Sequence, residues 1–236
     1  MQATITGREQ VAQGTMRFDY DLGDALLDFQ PGQFFNIDLV DPPYTDDRGS
    51  HRHFTILNTP NERHRVSMAT RMRDSAFKKS LAEMPLGSPV EIGNVGGRFT
   101  LPSDASQPLV WLAGGIGITP FFCMSSYIME ECLTYEVTLL YSNRDRGAAA
   151  FLTQLESFDA KNPAFKLVAI MTDDPGWDGE SRRLDAEVIR SYVPEPEKCL
   201  FMMAGPPPMN DALTQELEGM GVNTAQIRAD RFLGYE

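Results

Sequence analysis

The sequence predicts two domains of different architecture: an antiparallel β-barrel over residues 1–103, then a doubly wound parallel α/β sheet over residues 104–236. Three observations predict it. The first part holds short runs rich in β-branched and aromatic residues, set apart by turn residues. The second part alternates apolar runs with amphipathic helical stretches. Between them "LPSDASQP", residues 101–108, has the composition of a linker.

In the first part the expected strands are "TMRFDYDL", "GQFFNIDLV", "RHFTILN", "RVSMATRM" and "PVEIGNV". Several alternate in polarity, and Gly32, Pro42, Pro43 and Gly49-Ser50 break the chain between them. One helical stretch, "SAFKKSLAEM", interrupts the series. Five or six short strands in this length fit a closed or nearly closed barrel. In the second part "PLVWLAG" precedes "TPFFCMSSYIMEEC", and "EVTLLYS" precedes "AAAFLTQLESFDAK". Likewise "FKLVAIMT" precedes "RLDAEVIRSYV", and "KCLFMMAG" precedes "PPMNDALTQELEGMG". Repeated βα units of this kind give a parallel sheet with helices on both faces.

Composition narrows the functional classes. The chain has 236 residues, enough for two small cores. Net charge is -12; residues 1–103 hold 11 basic and 13 acidic residues, and the rest hold 10 and 20. Nucleic acid is excluded as a partner, because phosphate binding needs a basic footprint. The local exception is residues 63–79, where Arg63, Arg65, Arg71, Arg73, Lys78 and Lys79 face one acid, Asp74. No apolar run reaches the roughly 18 to 20 residues that span a membrane. "MQATITGREQ" lacks the apolar centre of a secretory signal. Cys123, Cys132 and Cys199 make no C-x-x-C pair, so a cytoplasmic chain is expected. His51, His53 and His64 have no cysteine or paired carboxylate to complete a metal site, and none is expected.

The richest stretch is "LVWLAGGIGITPFF", residues 109–122. It reads as a buried strand, a glycine turn and a helix start. Gly114, Gly115 and Gly117 let the backbone turn sharply and approach a ligand with no Cβ in the way. Thr119 is placed to cap the helix and Pro120 suits its first turn. Free N–H groups there favour a diphosphate. A tight βα turn in any doubly wound domain would look the same. A second strand-turn-helix, "FMMAGPPPMNDAL", puts Gly205, Pro206 and Met209 at the same edge of the sheet, where ligands bind. At the end of the third strand Ser142, Asn143 and Arg144 are in reach of a ribose or a 2′-phosphate, or Arg144 is a solvated loop charge.

Four motifs in one order resemble the ferredoxin–NADP reductase superfamily. "PGQFF" is similar to its early barrel signature, and "RHFTI" to its R-x-[FY]-[ST] flavin motif. "GGIGITP" resembles its pyridine-nucleotide turn, and "GPPPM" its C-G-P-x-x-M motif without the cysteine, whose place Ala204 takes. The resemblance spans nearly the whole chain. It implies non-covalent FAD in the barrel and NADPH or NADH on the α/β domain. Arg52 would pair with the flavin phosphate. Phe54 would offer a face to the isoalloxazine, and Thr55 a hydroxyl near N5. His53 holds the motif's variable position. "MATRMRDSAF" corresponds to the stretch that cradles the ring edge and the diphosphate, with Ala69, Arg71 and Ser75 as site residues. Gly97 and Phe99 match the family's G-P-x-G-x-F segment. The ending "DRFLGYE" resembles the family's aromatic tail, which makes Phe232 or Tyr235 a gate over the flavin.

The implied activity is flavin-dependent oxidoreduction, with hydride passing from NAD(P)H to flavin N5 and electrons then to a separate acceptor. The basic residues 63–79 favour an acidic protein, a ferredoxin or flavodoxin. The alternatives are a free-flavin or ferric reductase, or a flavin-holding electron-transfer or regulatory subunit with little activity alone.

Overall fold

The computed structural model describes residues 1–231. The chain divides into two compact units, Met1–Leu101 and Pro102–Glu236.

The first unit is a six-stranded sheet: β1 Gln2–Ala12, β2 Thr15–Asp21, β3 Phe34–Leu39, β4 His51–Thr55, β5 Arg65–Arg71 and β6 Pro89–Gly96. Their order is β4-β3-β6-β1-β2-β5, and all neighbours are antiparallel. β1 was not among the expected strands, yet it pairs on both sides, with β2 and β6. The two ends of the sheet also meet. Just past β4, the Leu57 N–H donates to the Ser67 carbonyl on β5 at 2.9 Å. The Ser67 N–H donates back to Asn58 Oδ1 at 2.8 Å. The sheet therefore curls towards a barrel around Ile5, Phe18, Tyr20, Phe35, Ile37 and Met68, all fully buried. One helix, α1 Ala76–Glu83, buries Phe77 and Leu81 in this core. The Arg8 guanidinium donates to the carbonyls of Ala82 and Met84 and ties down the end of α1.

The second unit alternates strand and helix. Its strands are β7 Leu109–Gly114, β8 Val137–Asn143, β9 Phe165–Met171, β10 Leu200–Gly205 and β11 Ile227–Arg231. Its helices are α2 Ile118–Glu130, α3 Leu152–Lys161, α4 Ala186–Tyr192 and α5 Pro207–Gly219. The strand order is β11-β10-β7-β8-β9, all parallel, with β7 in the middle. Both faces are covered. On one, Val110, Leu112, Phe201 and Met203 pack with Val188 and Ile189 of α4 and with Leu213 and Leu217 of α5. On the other, Trp111 stacks on Phe121 of α2 at 5.1 Å, and Phe165 meets Phe158 of α3 at 6.4 Å. A middle parallel strand buried on both faces explains why Leu109 to Ala113 are all apolar.

One helix starts later than the sequence suggests. Residues Arg146–Ala148 form a 3-10 turn, and Phe151 takes a left-handed φ of 60° before α3 begins. Phe151 stacks on Phe122 at 4.3 Å, so packing overrides the helix propensity of the alanine run. Among the described residues no helix is long and apolar enough to cross a membrane.

Candidate functional site

In the first unit, β4 pairs with β3, placing Phe54 opposite Phe35 and Arg52 opposite Ile37. Strand alternation puts Arg52 and Phe54 on one side and His53 and Thr55 on the other. Arg52 and Phe54 both reach Phe77 of α1: the guanidinium carbon lies 5.2 Å from its ring centre and the Phe54 ring 5.8 Å. Arg52 Nη1 donates to the carbonyls of Arg48, Gly49 and His51 at 2.9, 3.1 and 2.6 Å. Its Nη2 is buried with no hydrogen-bond partner. The carboxylate of Asp46 stands 3.9 Å from it.

More cationic groups gather at the start of α1. Ser75 caps this helix, its Oγ accepting the Lys78 N–H at 3.1 Å. Lys78 Nζ donates to the Arg71 carbonyl at 2.6 Å. Burial, and then the charges of Arg73 and Arg52, push the Lys78 ammonium down to about 8. Asp46 Oδ2 accepts the Ala76 N–H at 3.3 Å. The group thus holds more positive than negative charge, with one buried guanidinium N–H left over. That donor set fits a diphosphate.

The remaining predicted residues of this unit lie elsewhere on the sheet. Ala69 is buried mid-strand in β5, opposite Arg17. Thr55 is buried at the end of β4. His53 is exposed and packs its ring on Phe34 at 5.3 Å. Gly97 meets the same ring, since a Cβ there would lie 3.1 Å from it. Arg63 pairs with Asp28 at 2.5 Å and Arg65 with Glu62 at 3.1 Å. Arg65 and Arg71 begin and end β5, which sets Arg63 and Arg65 at one end of the strand and Arg71 at the other.

In the second unit the two glycine motifs converge. A Cβ on Gly117 would lie 2.1 Å from the Ala204 carbonyl oxygen, which only glycine permits. A Cβ on Gly114 would lie 2.5 Å from Met209 Sδ, and one on Gly205 2.6 Å from Met209 Cε. Gly114, Gly117, Gly205, Pro206 and Met209 therefore form one closely packed floor at the carboxyl ends of β7 and β10. Gly115 has a φ of 54° and open space where a Cβ would point. Thr119 is not the helix cap. The cap position is Gly117, and Thr119 lies inside α2, its hydroxyl donating to the Ile116 carbonyl at 3.2 Å. The reason is that the 3-10 turn runs directly into the helix, so α2 starts before Thr119. Pro120 sits in the first turn as expected.

Ser142 pairs with Gly114 across β8 and β7. Asn143 beside it is 7% exposed, and neither Oδ1 nor Nδ2 has a hydrogen-bond partner. Arg144 is exposed and held by Asp145 at 2.8 Å. Phe232 and Tyr235, the expected gate, lie outside the described residues. Sequence reasoning missed Asp46 as a partner of Arg52. It also took Lys78 only as part of a surface patch, although its place three residues after the Ser75 cap is a local signal.

Residues 111–215 match the family described as the oxidoreductase NAD-binding domain. A relative from Dictyostelium discoideum, NADH-cytochrome b5 reductase 1, is 26% identical over 89% of this chain and 74% of that protein. The chain spans about half the length of other relatives: a flavohemoprotein from Xylella fastidiosa is 25% identical over 89% of this chain and 52% of its own. A solved ferredoxin NADP+ reductase from Neisseria gonorrhoeae, with bound FAD and NADP, superposes with a TM-score of 0.81 at 20% identity. That likeness covers 98% of each chain. The family match makes residues 111–215 similar to oxidoreductase NAD-binding domains, and the two-unit fold is shared with a reductase solved with FAD and NADP. The chain as a whole is similar in fold to that ferredoxin NADP+ reductase.

Proposed function

We propose that the chain takes hydride from NAD(P)H onto FAD and passes the electrons to a separate protein, a ferredoxin or flavodoxin, in the cytoplasm. The observation that carries this reading is the local excess of positive charge around the start of α1. Arg52 Nη2 is buried with no hydrogen bond, and the charges of Arg52 and Arg73 both act on Lys78, on a chain whose other unit matches an NAD-binding domain. Bound FAD supplies a hydride acceptor at N5 and the ability to give up electrons one at a time. Arg52, Arg71, Ser75 and the first N–H groups of α1 hold its diphosphate. Phe54 is assigned to the ring, while Thr55 and Ala69, both buried away from the α1 group, are assigned to it by the motif alone. Gly97 keeps the backbone free of a Cβ where the cofactor runs. The glycine turn at Gly114, Gly115 and Gly117, with Thr119 and Pro120, receives the diphosphate of NAD(P)H. Gly205, Pro206 and Met209 form the wall beside it. Hydride transfer removes no proton from carbon, so no side chain has to act as a base.

A second reading of the acceptor is a haem protein. It is favoured by the Dictyostelium relative, named for cytochrome b5.

Anaerobic titration of the FAD-loaded protein with NADH and with NADPH tests the reductase reading. Loss of the flavin absorbance within seconds is expected, and a spectrum that stays oxidised for minutes would overturn it. Side-by-side assays with a ferredoxin, a flavodoxin and cytochrome b5, at low and high salt, then separate the acceptors.

A further inference from the structure

Resting on the nucleotide site just described, we infer that the chain selects NADH over NADPH, with Asp145 and Asp174 making the selection by holding the arginines a 2′-phosphate would need. The glycine turn opens at the end of β7, where Gly114 pairs with Ser142 of β8. Asn143 of β8 pairs with Met171 of β9, so the segments that follow these two strands share one sheet edge. The Asp173 N–H donates to the Arg144 carbonyl at 2.7 Å and binds the two segments together. A dinucleotide with its diphosphate on the turn extends its adenosine ribose along such an edge.

The edge has arginines enough for a phosphate, but three of the four are already held by carboxylates. Arg144 Nε donates to Asp145 Oδ2 at 2.8 Å. Arg146 forks onto Asp174, with Nε at 2.8 Å and Nη2 at 3.3 Å, and lies over the Trp177 ring at 5.9 Å. Arg182 forks onto Glu180 at 3.0 and 2.8 Å. Arg183 is exposed and is the remaining arginine of the group. Residues 142–146 and 172–183 together hold four arginines and five acids. A 2′-phosphate would therefore enter a field of no net positive charge and would have to displace a carboxylate to reach Arg144, Arg146 or Arg182. The arginine hydrogen bonds hold the Asp145 and Asp174 carboxyls below the usual carboxylate range, so both stay ionised at neutral pH.

NADH brings a hydroxyl in place of the phosphate, and a hydroxyl donates to a carboxylate. A second, independent feature suits it. The Asn143 side chain is buried one residue before Arg144, with both its donor and its acceptor unpartnered. A neutral amide that both donates and accepts matches a ribose hydroxyl or an adenine edge better than a dianion.

The test is calorimetric binding of NAD+ and of NADP+ to the FAD-loaded protein, to Asp145→Asn, Asp174→Asn and to the double variant. Asparagine keeps one acceptor oxygen for the Ala148 and Gly176 N–H groups, and its NH2 takes the place of the oxygen that holds the arginine. The wild type should bind NAD+ at least tenfold tighter than NADP+, and the double variant should narrow that ratio at least tenfold, mainly by gaining NADP+ affinity. Because the readout is a ratio, a general loss of structure cancels. Equal or tighter binding of NADP+ by the wild type, or an unchanged ratio in the double variant, overturns the inference while leaving the nucleotide site in place. Failure of both dinucleotides to bind overturns the nucleotide site itself.

Discussion

Gly117 shows how far a single residue type can be read. Its missing Cβ would stand 2.1 Å from the Ala204 oxygen, so the sequence signal and the structural need coincide. Gly117→Ala should shift backbone on one side or the other and cost about 1 to 3 kcal/mol, as overpacking does. A urea midpoint that stays at the wild-type value would contradict this. Arg52 was named from its motif, but its surroundings were not legible in the sequence. Nothing in the sequence links Asp46 to Arg52 and to Ala76, because that link is made by a loop folding back onto α1. Arg52→Met should weaken FAD binding to the apoprotein roughly tenfold to hundredfold, the scale of losing a hydrogen bond to a charged group. Flavin fluorescence titration reads the change, and the melting temperature of the apoprotein controls for general damage. Asn143 was named from its place at a strand end; only the fold shows that its amide is buried and unsatisfied.

At the scale of elements, the parallel sheet was legible because its strands are continuous apolar runs. β1 was not. In "QATITGREQVA" only Ala3 and Ile5 are buried, and the strand shifts register near Gly7, so period-2 alternation fades after its first half. What makes it a strand is pairing on both sides, which no local pattern reports. The start of α3 was misplaced for a related reason: Phe151 gives up helical φ for a stack on Phe122. β11 carries its own pH signature. Burial pushes the Asp230 carboxyl up to about 6 from an ordinary 3.8. The folded chain then holds that proton more tightly than the unfolded chain. Stability from this group is therefore intact below about pH 4, is lost as pH rises to about 6, and stays lost above. Asp230→Asn should be nearly neutral at pH 4 and stabilising by about 1 to 3 kcal/mol at pH 8. Denaturant midpoints across that range check it; equal effects at both ends would be the wrong outcome.

At the scale of the whole molecule, each unit has its own apolar core. A ligand that binds only the folded form stabilises by mass action, about 2.7 kcal/mol at a hundred times its Kd. FAD should accordingly raise hydrogen-exchange protection in β4, β5 and α1, and NAD+ in β7, β10 and the start of α2. Protection of both regions to the same extent by either ligand alone would argue against one site per unit.

The position of β7 between β10 and β8 also sets an order of assembly. The glycine turn leaves β7 at Gly114, but the carbonyl against which Gly117 closes belongs to Ala204, and the thioether that fills the space at Gly114 belongs to Met209. As the chain emerges during synthesis, the first unit can complete its barrel while the turn still lacks its floor. β7, β8 and β9 can pair early, since they are consecutive. The nucleotide turn must then stay open on one side until β10 inserts beside β7. That long-range closure is the slow kind, because distant segments have to meet before either gains from the contact.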